Sequence, residues 1–108
     1  MSDLPIGLRI SAALRSLDQN FTPYYILQRG NEFSGTILLS LIQPNGTIIL
    51  KAQQRNEQYK LIFMTVHKEV SLAPDKAHEY IQRAMKRDPD LWVIEIETRE
   101  NQTYFDEF

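Results

Sequence analysis

The sequence predicts a single α+β domain, in which an antiparallel or mixed five-stranded sheet packs against two helices in the order α-β-β-β-β-α-β. Three observations carry that prediction. A chain of 108 residues can bury one core and is too short to divide into two, so residues 1–108 are read as one domain. Apolar residues recur at helical spacing in two separate segments, one near the start and one after Pro74. Between and after them lie short β-prone runs punctuated by Gly, Pro and Asn. With 43% hydrophobic and 24% charged residues the composition is that of a globular protein rather than a disordered or fibrous one.

Each element follows from its own residues. Ile6, Ile10, Leu14, Leu17 and Phe21 recur at steps of three or four and line one face of a first helix, with Arg9, Arg15 and Asp18 toward water. Pro23 cannot continue a helix, which therefore ends around Gln19-Asn20. Tyr24 to Leu27 form the heart of a first strand over Pro23–Arg29, stopped by Gly30-Asn31. A second strand over Thr36–Ile42 and a third over Thr47–Lys51 flank Gln43-Pro44-Asn45-Gly46, where Asn-Gly signals a hairpin. The polar stretch Gln53–Glu57 then reads as a connection to a fourth strand over Tyr59–His67, apolar on both sides toward its end and expected to be buried on both faces. Pro74 begins a second helix, with Asp75 and Glu79 near its positive end and Lys86 and Arg87 near its negative end. Ala77, Tyr80, Ile81, Ala84 and Met85 supply its apolar face. Pro89 stops it, and a last strand over Leu91–Thr98 alternates Trp92, Ile94 and Ile96 on one face with Glu95 and Glu97 on the other. The tail from Glu100 is polar apart from Tyr104, Phe105 and Phe108, and is expected to be partly mobile.

Composition narrows the function classes. A net charge of −2 offers no clustered basic surface for nucleic acid. The absence of cysteine removes disulfides, thiolate metal sites and cysteine nucleophiles, and suits a reducing compartment. No apolar run reaches the length of a membrane span, and Met1-Ser2-Asp3-Leu4-Pro5 lacks the basic start and apolar stretch of a signal peptide, so the expectation is a cytoplasmic protein without membrane contact. His67 and His78 have no metal-binding spacing, no glycine pattern cradles phosphate, and no serine lies in a nucleophile elbow. No metal, cofactor or catalytic residue is assigned, and an enzyme is the less favoured reading.

The polar candidates gather near strand ends. Glu95 and Glu97 share one face of the last strand, where mutual repulsion could raise one pKa and the pair could act as base or hold a hard cation; hydration or pairing with basic neighbours is the plainer alternative. Arg29 and Arg99 flank strand ends, where an arginine grips an anionic ligand or pairs within the fold. Trp92 reads as a core anchor, and Asp88 and Asp90 as carboxylates that fix the turn around Pro89.

Ala13-Leu14-Arg15, Arg29-Gly30 followed by Gly35-Thr36-Ile37-Leu38, and above all Asp88-Pro89-Asp90-Leu91-Trp92-Val93-Ile94-Glu95-Ile96-Glu97 resemble the family catalogued as domain of unknown function 1491, found mainly in alphaproteobacteria. The resemblance spans nearly the whole chain. It marks Arg15, Arg29, Asp88, Asp90, Trp92, Glu95 and Glu97 as positions shared with the family motif, and it implies no activity. Asn31 stands where an acidic residue often follows Arg-Gly, and Lys86-Arg87 where a basic-aromatic pair often precedes Asp-Pro-Asp, departures that weaken the idea that either missing side chain is essential chemistry. The function expected is a small non-enzymatic domain that binds a protein partner or itself, through the outer face of the sheet or through Tyr104, Phe105 and Phe108. The alternative is a small-molecule or enzyme site at the strand ends, built from Arg29, Arg99 and the Glu95/Glu97 pair.

Overall fold

The computed structural model describes residues 4–99 and 103–105. Its elements run α1 (Ile6–Gln19), β1 (Tyr24–Gln28), β2 (Ile37–Ile42), β3 (Ile48–Arg55), β4 (Leu61–Thr65), α2 (Pro74–Arg87) and β5 (Trp92–Glu97), the order expected from sequence. The sheet is mixed, in the order β1-β5-β2-β3-β4. β5 enters between β1 and β2, antiparallel to the first and parallel to the second, and the remaining neighbours are antiparallel. Parallel pairing of β2 with β5 requires a long crossover, which the chain makes through α2.

Strand alternation divides the core between two faces. Ile37, Leu39 and Leu41 of β2 and Trp92, Ile94 and Ile96 of β5 point to one side, where Ile6, Ile10, Ala13 and Leu17 of α1 cover them. Leu38, Leu50 and Val93 point to the other, against Ala77, Ile81 and Ala84 of α2. The centre of the sheet is thus held between the two helices. Full burial of each of these large side chains contributes roughly 1.5–3 kcal/mol, which makes the central β5–β2 pair the anchor of the fold.

Four local readings are corrected by the structure. Arg9 is only 8% exposed, because it lies between Ile6 and Ile10 on the covered side of α1; burial and then the charge of Arg55 lower its pKa. Phe21 lies beyond α1 and is 92% exposed, so it does not belong to the apolar stripe of the helix. The polar stretch Gln53-Gln54-Arg55 is the end of β3, paired with Phe63, Ile62 and Leu61, and the connection is Asn56–Lys60. β4 is an edge strand, with Met64 47% exposed, so it is not buried on both faces. Polar residues continue β3 because Gln53 to Arg55 lie beyond the pairing with β2, join only the edge strand β4 and are little covered.

The β2–β3 hairpin forms as expected, although only Gly46 takes a positive φ, of 88°. The Gly46 N–H donates to the Gln43 carbonyl and the Gln43 N–H to that of Thr47, a type I turn followed by a glycine bulge. His67 terminates the β4 run by accepting the Leu50 N–H at Nε2 (3.1 Å), with the proton on Nδ1 directed at the Glu69 carbonyl (2.9 Å). His78 is exposed on α2. Thr103 and Phe105 are buried, and the Phe105 ring meets that of Phe63 edge-on at 6.1 Å. Phe108 and the rest of the tail from residue 100 lie outside the described residues.

Candidate functional site

Most of the shared motif residues meet at one end of the sheet, where the loop after β1 crosses the turn between α2 and β5. Asn31 N–H donates to the Asp90 carbonyl (3.0 Å), and the Trp92 indole N–H donates to the Asn31 carbonyl (2.8 Å). Gln28 Nε2 donates to the Asp88 and Leu91 carbonyls (3.0 and 2.8 Å). The Asp88 carboxylate accepts the Asp90 N–H, and the Asn31 side-chain oxygen accepts the N–H groups of Phe33 and Ser34. A carboxylate at position 31 could accept the same two bonds. The guanidinium of Arg29 lies over the Trp92 ring, 5.4 Å from its centroid.

The glycines make this crossing possible. A Cβ on Gly30 or Gly35 would overlap the Asp90 carbonyl oxygen, so the two backbones approach closer than any side chain allows. Asp88, Asp90 and Trp92, with Arg29 and the two glycines, therefore hold two loops together. Gln28 and Asn31 do as much; the sequence marked Asn31 only as a turn residue and passed over Gln28, because an isolated amide at a strand end resembles ordinary surface.

At the opposite end of the sheet the carboxyl ends of β2 and β5, the start of β1 and the β2–β3 turn enclose an open cleft of about 1020 Å³. Glu97 and Arg99 line it, together with Asn20, Phe21, Gln43 and Tyr104. Arg29 and Arg99 flank opposite ends of β5, roughly 20 Å apart at the rise of a strand, and share no site. Arg15 is exposed on α1 and belongs to neither the crossing nor the cleft. Among the described residues no group of three His, Asp or Glu side chains could hold a metal ion.

The acidic pair is divided by its surroundings. Glu97 is exposed at the cleft, whereas Glu95 is half-buried beside fully buried Ser40, its neighbour in the parallel ladder. Desolvation, and secondarily the charge of Glu97, push the Glu95 carboxyl above its usual pKa.

Two aromatic residues at the cleft have left-handed backbones, Phe21 at φ 55° and Tyr104 at φ 62°. Phe21 occupies the position after α1 that glycine usually takes. The Thr22 N–H donates to the Leu17 carbonyl and the Phe21 N–H to that of Asp18, the paired bonds of a Schellman ending. A non-glycine residue there costs about 1–2 kcal/mol. The signal available in the sequence was a large aromatic residue two positions before Pro23, where a helix has to end.

A family model described as a protein of unknown function, DUF1491, matches residues 4–106. The chain belongs to the DUF1491 family. Among solved structures, the crystal structure of a DUF1491 family protein from Caulobacter crescentus is similar at 22% identity, with a TM-score of 0.81 over 94% of each chain. The NMR structure of a DUF1491 family protein from the same organism is similar at 23% identity and a TM-score of 0.79, covering 94% of this chain and 92% of that one. A solution structure of a protein from A. tumefaciens is similar at 22% identity and a TM-score of 0.75, with the same coverage. No curated protein matches the chain. These likenesses show that the DUF1491 fold is shared, and they carry no activity.

Proposed function

We propose that this DUF1491 chain is a small binding domain that pairs with a second copy of itself along the free edge of β1. The observation that carries the proposal is the character of that edge. Pro23, Tyr25 and Leu27 alternate with more buried neighbours and leave an apolar row in solvent, with Tyr25 56% and Leu27 42% exposed. No charged residue, and no proline within Tyr24–Gln28, guards the strand. The aromatic tail is a poorer anchor, since Phe105 is 3% exposed and already packed.

The hydrogen-bond pattern supports a two-fold arrangement. Glu97 N–H donates to the Pro23 carbonyl, so Tyr25 falls in the next hydrogen-bonded pair with Glu95, and Tyr24 and Ile26 turn their N–H and C=O groups away from β5. An antiparallel copy centred on Tyr25 sets Tyr24 opposite Ile26 of the second copy, where each satisfies the other. The two Tyr25 rings then meet across the axis as a close cross-strand pair. Binding rather than catalysis suits a motif whose residues Asp88, Asp90 and Trp92 are occupied in joining two loops. A chain without cysteine and with a net charge of −2 suits the cytoplasm and a protein partner rather than nucleic acid.

Size-exclusion chromatography with light scattering tests the proposal. The wild-type chain is expected to approach dimer mass as its concentration rises, and Tyr25→Lys to remain monomeric with an unchanged circular dichroism spectrum. A wild-type chain that stays monomeric at every concentration would overturn it.

A further inference from the structure

We infer that the cleft at the carboxyl ends of β2 and β5 binds a small zwitterion of the amino-acid type, a free amino acid or a dipeptide with apolar or aromatic side chains. Its carboxylate meets Arg99, its ammonium meets Glu97, and its side chain lies against Phe21 and Tyr104. Three independent features converge on this reading. The first is charge: a carboxylate and a guanidinium line one cleft, and neither has a hydrogen-bond or ion-pair partner through its side chain among the described residues. Opposite charges held on one wall and left open to a ligand match a molecule that carries both signs. The second is position, since the carboxyl ends of adjacent parallel strands, here β2 and β5, are where open sheets commonly present their binding crevice. At about 1020 Å³ the space accepts a dipeptide.

The third is the choice of residue at Phe21. Its ring is 92% exposed and contributes little to the core, while its φ of 55° is one that glycine adopts freely. Stability alone favours glycine at such a helix ending. An exposed aromatic ring there, lining the cleft together with a second left-handed aromatic residue, fits a surface for contact with a ligand. The occupant contacts residues other than the centre of the β1 pairing: Pro23 borders both surfaces, but Tyr25 and Leu27 do not line the cleft.

Titration of the isotope-labelled full chain, followed by amide chemical shifts, tests the site. The probes are phenylalanine, leucine and the phenylalanyl-leucine dipeptide, with their N-acetyl and carboxamide derivatives as controls. Saturable shifts are expected at Phe21, Gly46 and Arg99 with at least one free zwitterion, and comparison of the amino acids with the dipeptide decides which size is bound. Capping either terminus of the probe, or making Arg99→Gln or Glu97→Gln, is expected to weaken binding about tenfold, the usual worth of one charge-assisted contact. Phe21→Gly is the decisive variant: its melting temperature rises while its affinity for the zwitterion falls. Absence of saturable shifts with every free probe, equal binding of the capped derivatives, or unchanged affinity in Phe21→Gly would each overturn the assignment. Because Tyr25→Lys leaves the cleft intact, its failure to dimerise and its retention of ligand are read separately.

Discussion

Glu95 and Glu97 stand two positions apart on the same face of β5, and the Glu95 carboxyl is held above its usual pKa, first by burial and then by the charge of Glu97. The folded-state value lies above the unfolded one, near 4.3 for a glutamate. Across the window between those two values the folded chain holds more protons than the unfolded chain, so Glu95 makes stability fall as pH rises. At neutral pH its ionised form is a standing cost. Glu95→Gln is therefore expected to stabilise the domain at pH 7, by less than about 1 kcal/mol because the carboxylate is partly in water, and to leave stability below the window unchanged. Urea denaturation at a series of pH values checks both the gain and its disappearance in acid. The sequence already indicated that mutual repulsion could separate these two carboxylates. It could not indicate that Glu95 is the one half-buried, because that burial is set by the strands paired beside it in the sheet.

Among the elements, those legible in the sequence were the ones specified by local chemistry. Both helices, the Asn-Gly hairpin and the alternation of β5 follow from spacing and turn residues. The elements misread depend on their neighbours: β3 runs on through Gln53-Gln54-Arg55, and β4 is an edge, because β5 inserts between β1 and β2 and leaves β4 outermost. The candidate site divides in the same way. The Arg-Gly and Asp-Pro-Asp segments were recognisable as a shared motif, but that they touch each other rests on pairing far apart in sequence. Gly30 tests whether that contact is architectural. In Gly30→Ala the new methyl group collides with the Asp90 backbone carbonyl, which is pinned by the Asn31 N–H and cannot swing aside like a side chain. A loss of about 1–3 kcal/mol is expected, as for overpacking elsewhere, measured by thermal or urea unfolding. The same substitution at Gly46, where a Cβ would meet nothing, costs only the strain of its positive φ.

Across the whole molecule, α1 covers one face of the sheet and α2 only part of the other, so the β1 corner is where apolar surface and unpaired backbone coincide. Hydrogen exchange reads that coincidence amide by amide. In the monomer Tyr25 N–H points toward Glu95 and is protected by the sheet, whereas Tyr24 and Ile26 N–H point outward, and their exchange is expected to be fast. If two copies pair along β1, Tyr24 and Ile26 slow as concentration rises, by the factor by which dimer outnumbers monomer, while Tyr25 changes little. Pairing through a helix face or through the cleft would leave Tyr24 and Ile26 fast at every concentration. The alternation of protected and exposed amides along three consecutive residues thus distinguishes edge pairing from any other mode of association, and Tyr25→Lys should abolish the concentration dependence at Tyr24 and Ile26 together.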